Sequence, residues 1–240
     1  MAASTTKTKE ALVTTPQQKF EGHTDHVWRV IHLPGGQRII TCSWDGSLRV
    51  WNLKSGKQIG EDWRDGENEV VSMALSPDGK KVVSGSDNGV VRLWDMDTCK
   101  IIAKWTGHTD KVWSVCWSQD GRRVKTLISG SFDHSIRTWN TTKWEQIAVL
   151  DEHTDPVIAI AISQNNRILT SASSDKTARL WNLDNGQPIN CSSLQHAGPV
   201  YCVSFSADGK RLATGCCNTK AYTWDVAAIL REAGLDDLHQ

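Results

Sequence analysis

Five times along this 240-residue chain a short apolar run closes on Trp followed by Asp or Asn: Trp51-Asn52, Trp94-Asp95, Trp139-Asn140, Trp181-Asn182 and Trp224-Asp225. Successive Trp residues stand 43, 45, 42 and 43 positions apart. A fixed period in the forties means one supersecondary unit copied end to end. Such a unit cannot bury its apolar faces alone, so each copy needs neighbours and the period constrains the whole molecule.

The unit between Trp139 and Trp181 shows the local grammar. Its apolar residues fall in runs at 147–150, 157–162, 167–171 and 177–181, separated by polar, turn-forming stretches at 151–155, 163–166 and 173–176. Four short β-rich runs with turns every 8–12 residues indicate an antiparallel meander, and no 3.6-residue periodicity competes with it inside the unit. The copies align column by column. A His lies 28 residues before the Trp at His23, His153 and His196, and 31 before it at His108. Ten before each Trp is a hydroxyl: Thr41, Ser84, Ser129, Ser171 or Thr214. Six before it is Asp or Asn (Asp45, Asn88, Asp133, Asp175, Asn218), residue types suited to tight turns because they bond their own backbone. Two before it is Arg in the first four copies and Tyr222 in the last.

These columns, with the pairs Gly22-His23 and Gly107-His108, resemble the WD-repeat β-propeller family over roughly residues 19–225. The resemblance implies an all-β fold of five four-stranded antiparallel blades. It also implies a buried hydrogen-bonded network in each complete blade: His23, Thr41, Asp45 and Trp51 in blade one; His108, Ser129, Asp133 and Trp139 in blade three; His153, Ser171, Asp175 and Trp181 in blade four. Blade two has no His across 61–69, and blade five has Asn218 where the others have Asp, so these two are expected to be softer.

The domain layout follows. Residues 1–11 read as a disordered tail, 12–226 as the propeller, and 227–240 as a C-terminal helix and tail. Val226, Ile229, Leu230 and Ala233 share one helical face, with Asp225 available as N-cap. No apolar strand follows Asp225, so blade five is expected to take its outer strand from residues 12–20 and thereby seal the ring. Five blades need roughly 72° of turn each, against about 51° for seven. A closed monomer is expected, with sharing of blades between two chains as the outlet for strain. In blade three, eight residues rather than five separate the first turn (Gly121) from the strand hydroxyl (Ser129). Loss of whole blades near 125–127 and an ordinary lengthened hairpin both account for that excess.

Charge and composition exclude several functions. The 27 basic and 27 acidic residues cancel, and no basic stripe offers a nucleic acid a track. No run approaches the 18 apolar residues of a membrane span. Seven Cys without a spacing framework suit a reducing compartment, with cytoplasm the default and nucleus the alternative. The recurring His, hydroxyl and Asp invite a triad reading. However, a nucleophile is one activated group at one site, whereas this trio repeats with the fold. Adjacent Cys216 and Cys217 would point to opposite faces of a strand. No metal, cofactor or catalytic residue is expected.

The resemblance instead directs attention to the narrower top face near the axis, where the start of each inner strand and the residue before each turn Asp or Asn project. Here those positions hold Trp28, Trp113 and Tyr201, and Trp44 and Phe132, with His26 and Lys111 close by in sequence. Exposed aromatics inside a polar rim suit a protein or peptide partner. The chain therefore reads as a non-catalytic interaction scaffold. The alternatives are a shortened propeller with no retained partner, or a small-molecule or enzymatic site in the central channel.

Overall fold

The computed structural model describes residues 16–118 and 126–239. Nineteen strands among them form five antiparallel sheets in sequence order. Blade one is β1 (Val27–His32), β2 (Arg38–Ser43), β3 (Ser47–Asn52) and β4 (Gln58–Arg64). Blade two is β5 (Val70–Leu75), β6 (Lys81–Ser86), β7 (Val91–Asp95) and β8 (Ile101–Trp105). Blade three is β9 (Val112–Trp117), β10 (Thr126–Ser131), β11 (Ile136–Asn140) and β12 (Glu145–Leu150). Blade four is β13 (Val157–Ile162), β14 (Ile168–Ser173), β15 (Thr177–Asn182) and β16 (Gln187–Gln195). Blade five is β17 (Val200–Phe205), β18 (Arg211–Cys216) and β19 (Ala221–Asp225). A helix, α1 (Val226–Glu232), follows directly. Asp225 caps it by accepting from the Ala228 N–H at 3.0 Å, and Val226, Ile229 and Leu230 are buried against blades four and five. No helix among the described residues is long and apolar enough to cross a membrane.

The blades stack by one rule. From blade two on, each repeat Trp lies on the leading face of its blade and packs against the trailing face of the blade before it. Trp94, with Val70, Met73 and Val82, packs on Leu48, Val50 and Trp63 of blade one. Trp139, with Val112, Val115 and Leu127, packs on Val83, Val91, Leu93 and Trp105 of blade two. Trp181, with Val157, Ile160 and Leu169, packs on Ile128, Ile136 and Leu150 of blade three. Polar bonds stitch the same seams: Ser72 Oγ donates to Val112 O at 2.7 Å, and Ser114 Oγ accepts from Ile160 N–H at 3.2 Å.

The ring is not sealed. The inner strands pack in succession, β1 on β5, β5 on β9, β9 on β13 and β13 on β17, but no comparable packing joins β17 to β1. Burial agrees. Val27 and Val30 on the leading face of blade one are 52% and 59% exposed, whereas their counterparts Val70, Met73, Val112 and Val115 are buried. Residues 12–20, expected to complete blade five, are described only from residue 16. Residues 16–20 form no strand and the fifth sheet has three; residues 12–15 lie outside the described residues. Phe20 seats its ring 5.8 Å from that of Trp51, on blade one. The 1–11 segment and the lengthened part of the β9–β10 connection also lie outside the described residues.

Candidate functional site: buried relays and an aromatic ladder on the top face

The repeated polar columns meet inside each blade. In blade one His23 Nδ1 lies 2.8 Å from Asp45 Oδ2 and His23 Nε2 lies 2.7 Å from Thr41 Oγ1, while Trp51 Nε1 donates to the same hydroxyl at 2.8 Å. Blade three repeats this with His108, Asp133, Ser129 and Trp139 at 2.8 Å throughout. In blade four His153, Asp175, Ser171 and Trp181 give 2.7, 2.7 and 2.9 Å. Because a carboxylate can only accept, Nδ1 carries a proton. The neutral ring then accepts at Nε2 from the hydroxyl, which in turn accepts from the indole. Burial alone would push each Asp carboxyl up. Hydrogen bonds from Ser47 and His23, from His108 and Ser135, and from His153 and Thr177 outweigh it and hold Asp45, Asp133 and Asp175 well below the usual carboxylate range.

The glycines beside two of these His residues have a packing role. A Cβ on Gly22 would collide with the guanidinium of Arg49, and one on Gly107 with that of Arg137. The Arg column is thus laid along the sheet, and Arg49 reaches Asp62 at 2.9 Å.

Blades two and five depart as their sequences do. In blade two Trp94 still donates to Ser84 Oγ at 2.9 Å, but no imidazole caps the hydroxyl. Asp65 from the preceding loop binds Arg92 Nε at 2.7 Å and Lys104 Nζ at 2.6 Å. Sequence reasoning missed Asp65, because no column marks it. In blade five His196 Nε2 meets Thr214 Oγ1 at 2.7 Å, but with Asn at 218 its Nδ1–H donates to the Leu194 carbonyl at 2.9 Å. Burial then lowers the His196 pKa, since no carboxylate offsets it.

Every inner strand is bulged near its start. The pairing of the first and second strands slips at one residue in every blade, and those residues are Trp28, Val71, Trp113, Ile158 and Tyr201. A bulge re-aims a side chain out of the ladder, here onto the top face. A backbone bond next to it fixes the neighbouring turn: Trp44 N–H donates to His26 O at 3.0 Å and Phe132 N–H to Lys111 O at 2.9 Å. In blades one and three two aromatics are thereby paired. Trp28 stacks on Trp44 with centroids 5.2 Å apart, and Trp113 on Phe132 at 4.9 Å. Blade two offers buried Val71 and half-buried Asp87 at the matching positions, and Trp28 and Trp113 meet edge to face at 5.2 Å. His26 extends the row, 5.0 Å from Trp44.

The result is a continuous ladder, His26–Trp44–Trp28–Trp113–Phe132, across blades one to three. Trp28 is 37% exposed and Trp44, Trp113 and Phe132 are half-buried. Its rim is polar: Lys111 lies 3.8 Å from Glu69, and His26 pairs with Asp25 at 2.6 Å. Tyr201 is 54% exposed on blade five and makes no ring contact with the ladder. The structure brings four of the five anchor aromatics together and leaves the fifth apart.

The opposite end of the axis holds a cavity of ≈ 280 Å³ between the ends of β5, β9 and β13, lined by Leu75, Cys116, Trp117 and Gln164 among others. No Asp, Glu, Lys, Arg or His is among its described lining residues, and burial pushes the Cys116 thiol up. Cys42, buried within the blade one–two seam, is pushed up to about 12. These thiols are poor nucleophiles at neutral pH.

Blades of one pattern fanned about an axis, each pinned by an indole–hydroxyl–imidazole relay or its remnant, define a repeat propeller. The chain belongs to the WD domain, G-beta repeat family, which matches residues 14–52, 60–95, 99–140, 144–182 and 189–225. It is similar to the small ribosomal subunit protein RACK1 of Drosophila melanogaster, 33% identical over 211 residues that cover 88% of this chain and 52% of that protein. It is also similar to autophagy-related protein 16 of Arabidopsis thaliana, 28% identical over 205 residues, covering 85% of this chain and 40% of that one. The chain thus spans about half or less of the length of these relatives.

Proposed function

We propose that this chain is a non-catalytic scaffold that holds a protein or peptide segment on its top face. The observation that carries the reading is the ladder. Four aromatic anchors, three of them half-buried, already touch ring to ring and are rimmed by charge before any partner arrives, so binding orders little. Trp28, Trp44, Trp113 and Phe132 supply the apolar contact, and His26 and Lys111 supply polar contacts at its edge. Tyr201 contributes only to a partner long enough to cross toward blade five. The relays serve the blades rather than a reaction: each hydroxyl is buried and already engaged by an indole, leaving no free nucleophile. RACK1's name places that protein in the small ribosomal subunit, which supports a binding role here. The zero net charge disfavours nucleic acid, the seven Cys without a spacing framework suit the cytoplasm, and no cofactor is called for.

The test compares wild type with the Trp28→Ala/Trp113→Ala double variant as baits in an extract of the source cells. Retained proteins are quantified by mass spectrometry and both baits by thermal melting. The proposal expects at least about a tenfold loss of a specific partner set, with the melt lowered by only a few degrees. An unchanged partner set, or a collapsed melt with no partner to lose, contradicts it.

A further inference from the structure

Two columns of side chains project on the top face, one from the bulged starts of the inner strands and one from the turns between second and third strands. Across both columns and all five blades a single residue is charged, Asp87 of blade two. Its N–H donates to Glu69 O at 3.1 Å, the counterpart of the bonds that seat Trp44 in blade one and Phe132 in blade three. That bond sets Asp87 in line with those two rings and places Glu69 beside it. Because blade two lies between blades one and three, Asp87 has the Trp44 turn on one side and the Phe132 turn on the other. On the side toward the axis Trp28 and Trp113 meet at 5.2 Å. The one charge of the two columns is thus walled by aromatic rings.

That charge is not balanced within the site. Asp87 is half-buried and its Oδ1 accepts from Ser86 Oγ at 3.3 Å, and among the described residues no Lys, Arg or His pairs with it. Glu69, 35% exposed, has Lys111 at 3.8 Å, long for an ion pair. At the edge of the ladder Asp25 is taken by His26 at 2.6 Å. Two carboxylates therefore share one distant ammonium. A half-buried carboxylate without a cation has lost water and gained little in return, and an arriving cation recovers that cost.

We propose that this recess takes an arginine side chain of the partner segment; the proposal rests on the top-face reading above and deepens it. A guanidinium is flat and weakly hydrated, lies well against indole and phenyl rings, and presents paired N–H donors to carboxylates. It would rest in the corner made by Trp28 and Trp113, with its N–H groups on Asp87 and Glu69. A lysine ammonium, compact and strongly hydrated, gains less from flat walls. An apolar side chain would cover Asp87 and leave it unpaired, so the site selects against one.

The test is calorimetric titration of the full chain with a blocked Ala-Arg-Ala tripeptide and with its lysine and citrulline versions, citrulline being the neutral isostere of arginine. The arginine peptide is expected to bind with a dissociation constant of about 0.1–1 mM at low salt, and more weakly as salt is added. The citrulline peptide is expected to bind at least about tenfold more weakly, and the lysine peptide several-fold more weakly. Asp87→Asn should cost the arginine peptide about tenfold with the thermal melt unchanged, and Glu69→Gln less, because Lys111 already shares that charge. No binding of the arginine peptide, equal binding of the citrulline peptide, or indifference to Asp87→Asn overturns the proposal. A lysine peptide that binds as tightly as the arginine one overturns the choice of guanidinium. Asp87→Asn also serves as a third bait in the extract comparison, where it is expected to lose the partner set that Trp28→Ala/Trp113→Ala loses. Partners lost with the double variant but kept with Asp87→Asn sink the arginine site and leave the top-face reading standing. Partners kept with both baits sink that reading itself.

Discussion

The stability of each blade is concentrated in one hydroxyl. Ser129 is fully buried, accepts from Trp139 and meets His108, so its loss strands two polar groups rather than one. Ser129→Ala is expected to cost about 1–3 kcal/mol, the penalty of unpaired buried groups. Ser84→Ala in blade two, where only the Trp94 bond is at stake, should cost less. Urea denaturation of both variants checks the order. The relay carboxylates carry a pH signature. Asp45, Asp133 and Asp175 titrate lower folded than unfolded, so the unfolded chain binds more protons below pH ~4 and stability falls there as acid is added. Asp133→Asn is expected to lower the melting temperature near neutrality and to flatten its decline between pH ~4 and ~2. An unchanged acid slope would remove Asp133 from the relay's charge balance. These residues were legible in the sequence because the period repeats them. Asp65 was not, because it answers a vacancy in a single blade and no second copy marks it.

At the scale of strands, the bulge is the feature that turns a repeat into a surface. At the start of each inner strand it lifts one side chain from the ladder, and only the residue type decides whether that side chain becomes an anchor (Trp28, Trp113) or filler (Val71). The alternation of apolar residues showed the strands but could not show a one-residue slip in pairing, so the contact of Trp28 with Trp113 across blade two was invisible beforehand. The other element-level question is the free edge of β19. In the open arc no strand covers that edge among the described residues, whereas β8 covers β7. The β19 amides are therefore expected to exchange faster than those of β7 in hydrogen exchange read by mass spectrometry. Amides in β19 as slow as those of β7 would contradict it.

At the scale of the molecule, five blades in sequence order were readable from five Trp columns, because each copy must bury a leading and a trailing face against like neighbours. How the two ends relate was not readable. Closure depends on the sum of four seam angles, and each is set by packing that a repeat pattern does not encode. The trailing face of blade five, with Cys202, Ser204, Ala213, Ala221 and Thr223, is also smaller and more polar than that of blade two, with Ser72, Ala74, Val83, Val91 and Leu93. That poor match suits an end that stays open. The most direct measurement is a pair of equivalent substitutions in separate chains, Val30→Lys on blade one and Val115→Lys on blade three, each followed by chemical denaturation. An open arc predicts that Val30→Lys changes stability by no more than about 0.5 kcal/mol, while Val115→Lys, burying a charge in a filled seam, costs about 3 kcal/mol or more. Equal and large losses at both positions would contradict it, because Val30 would then lie in a fifth seam like the other four.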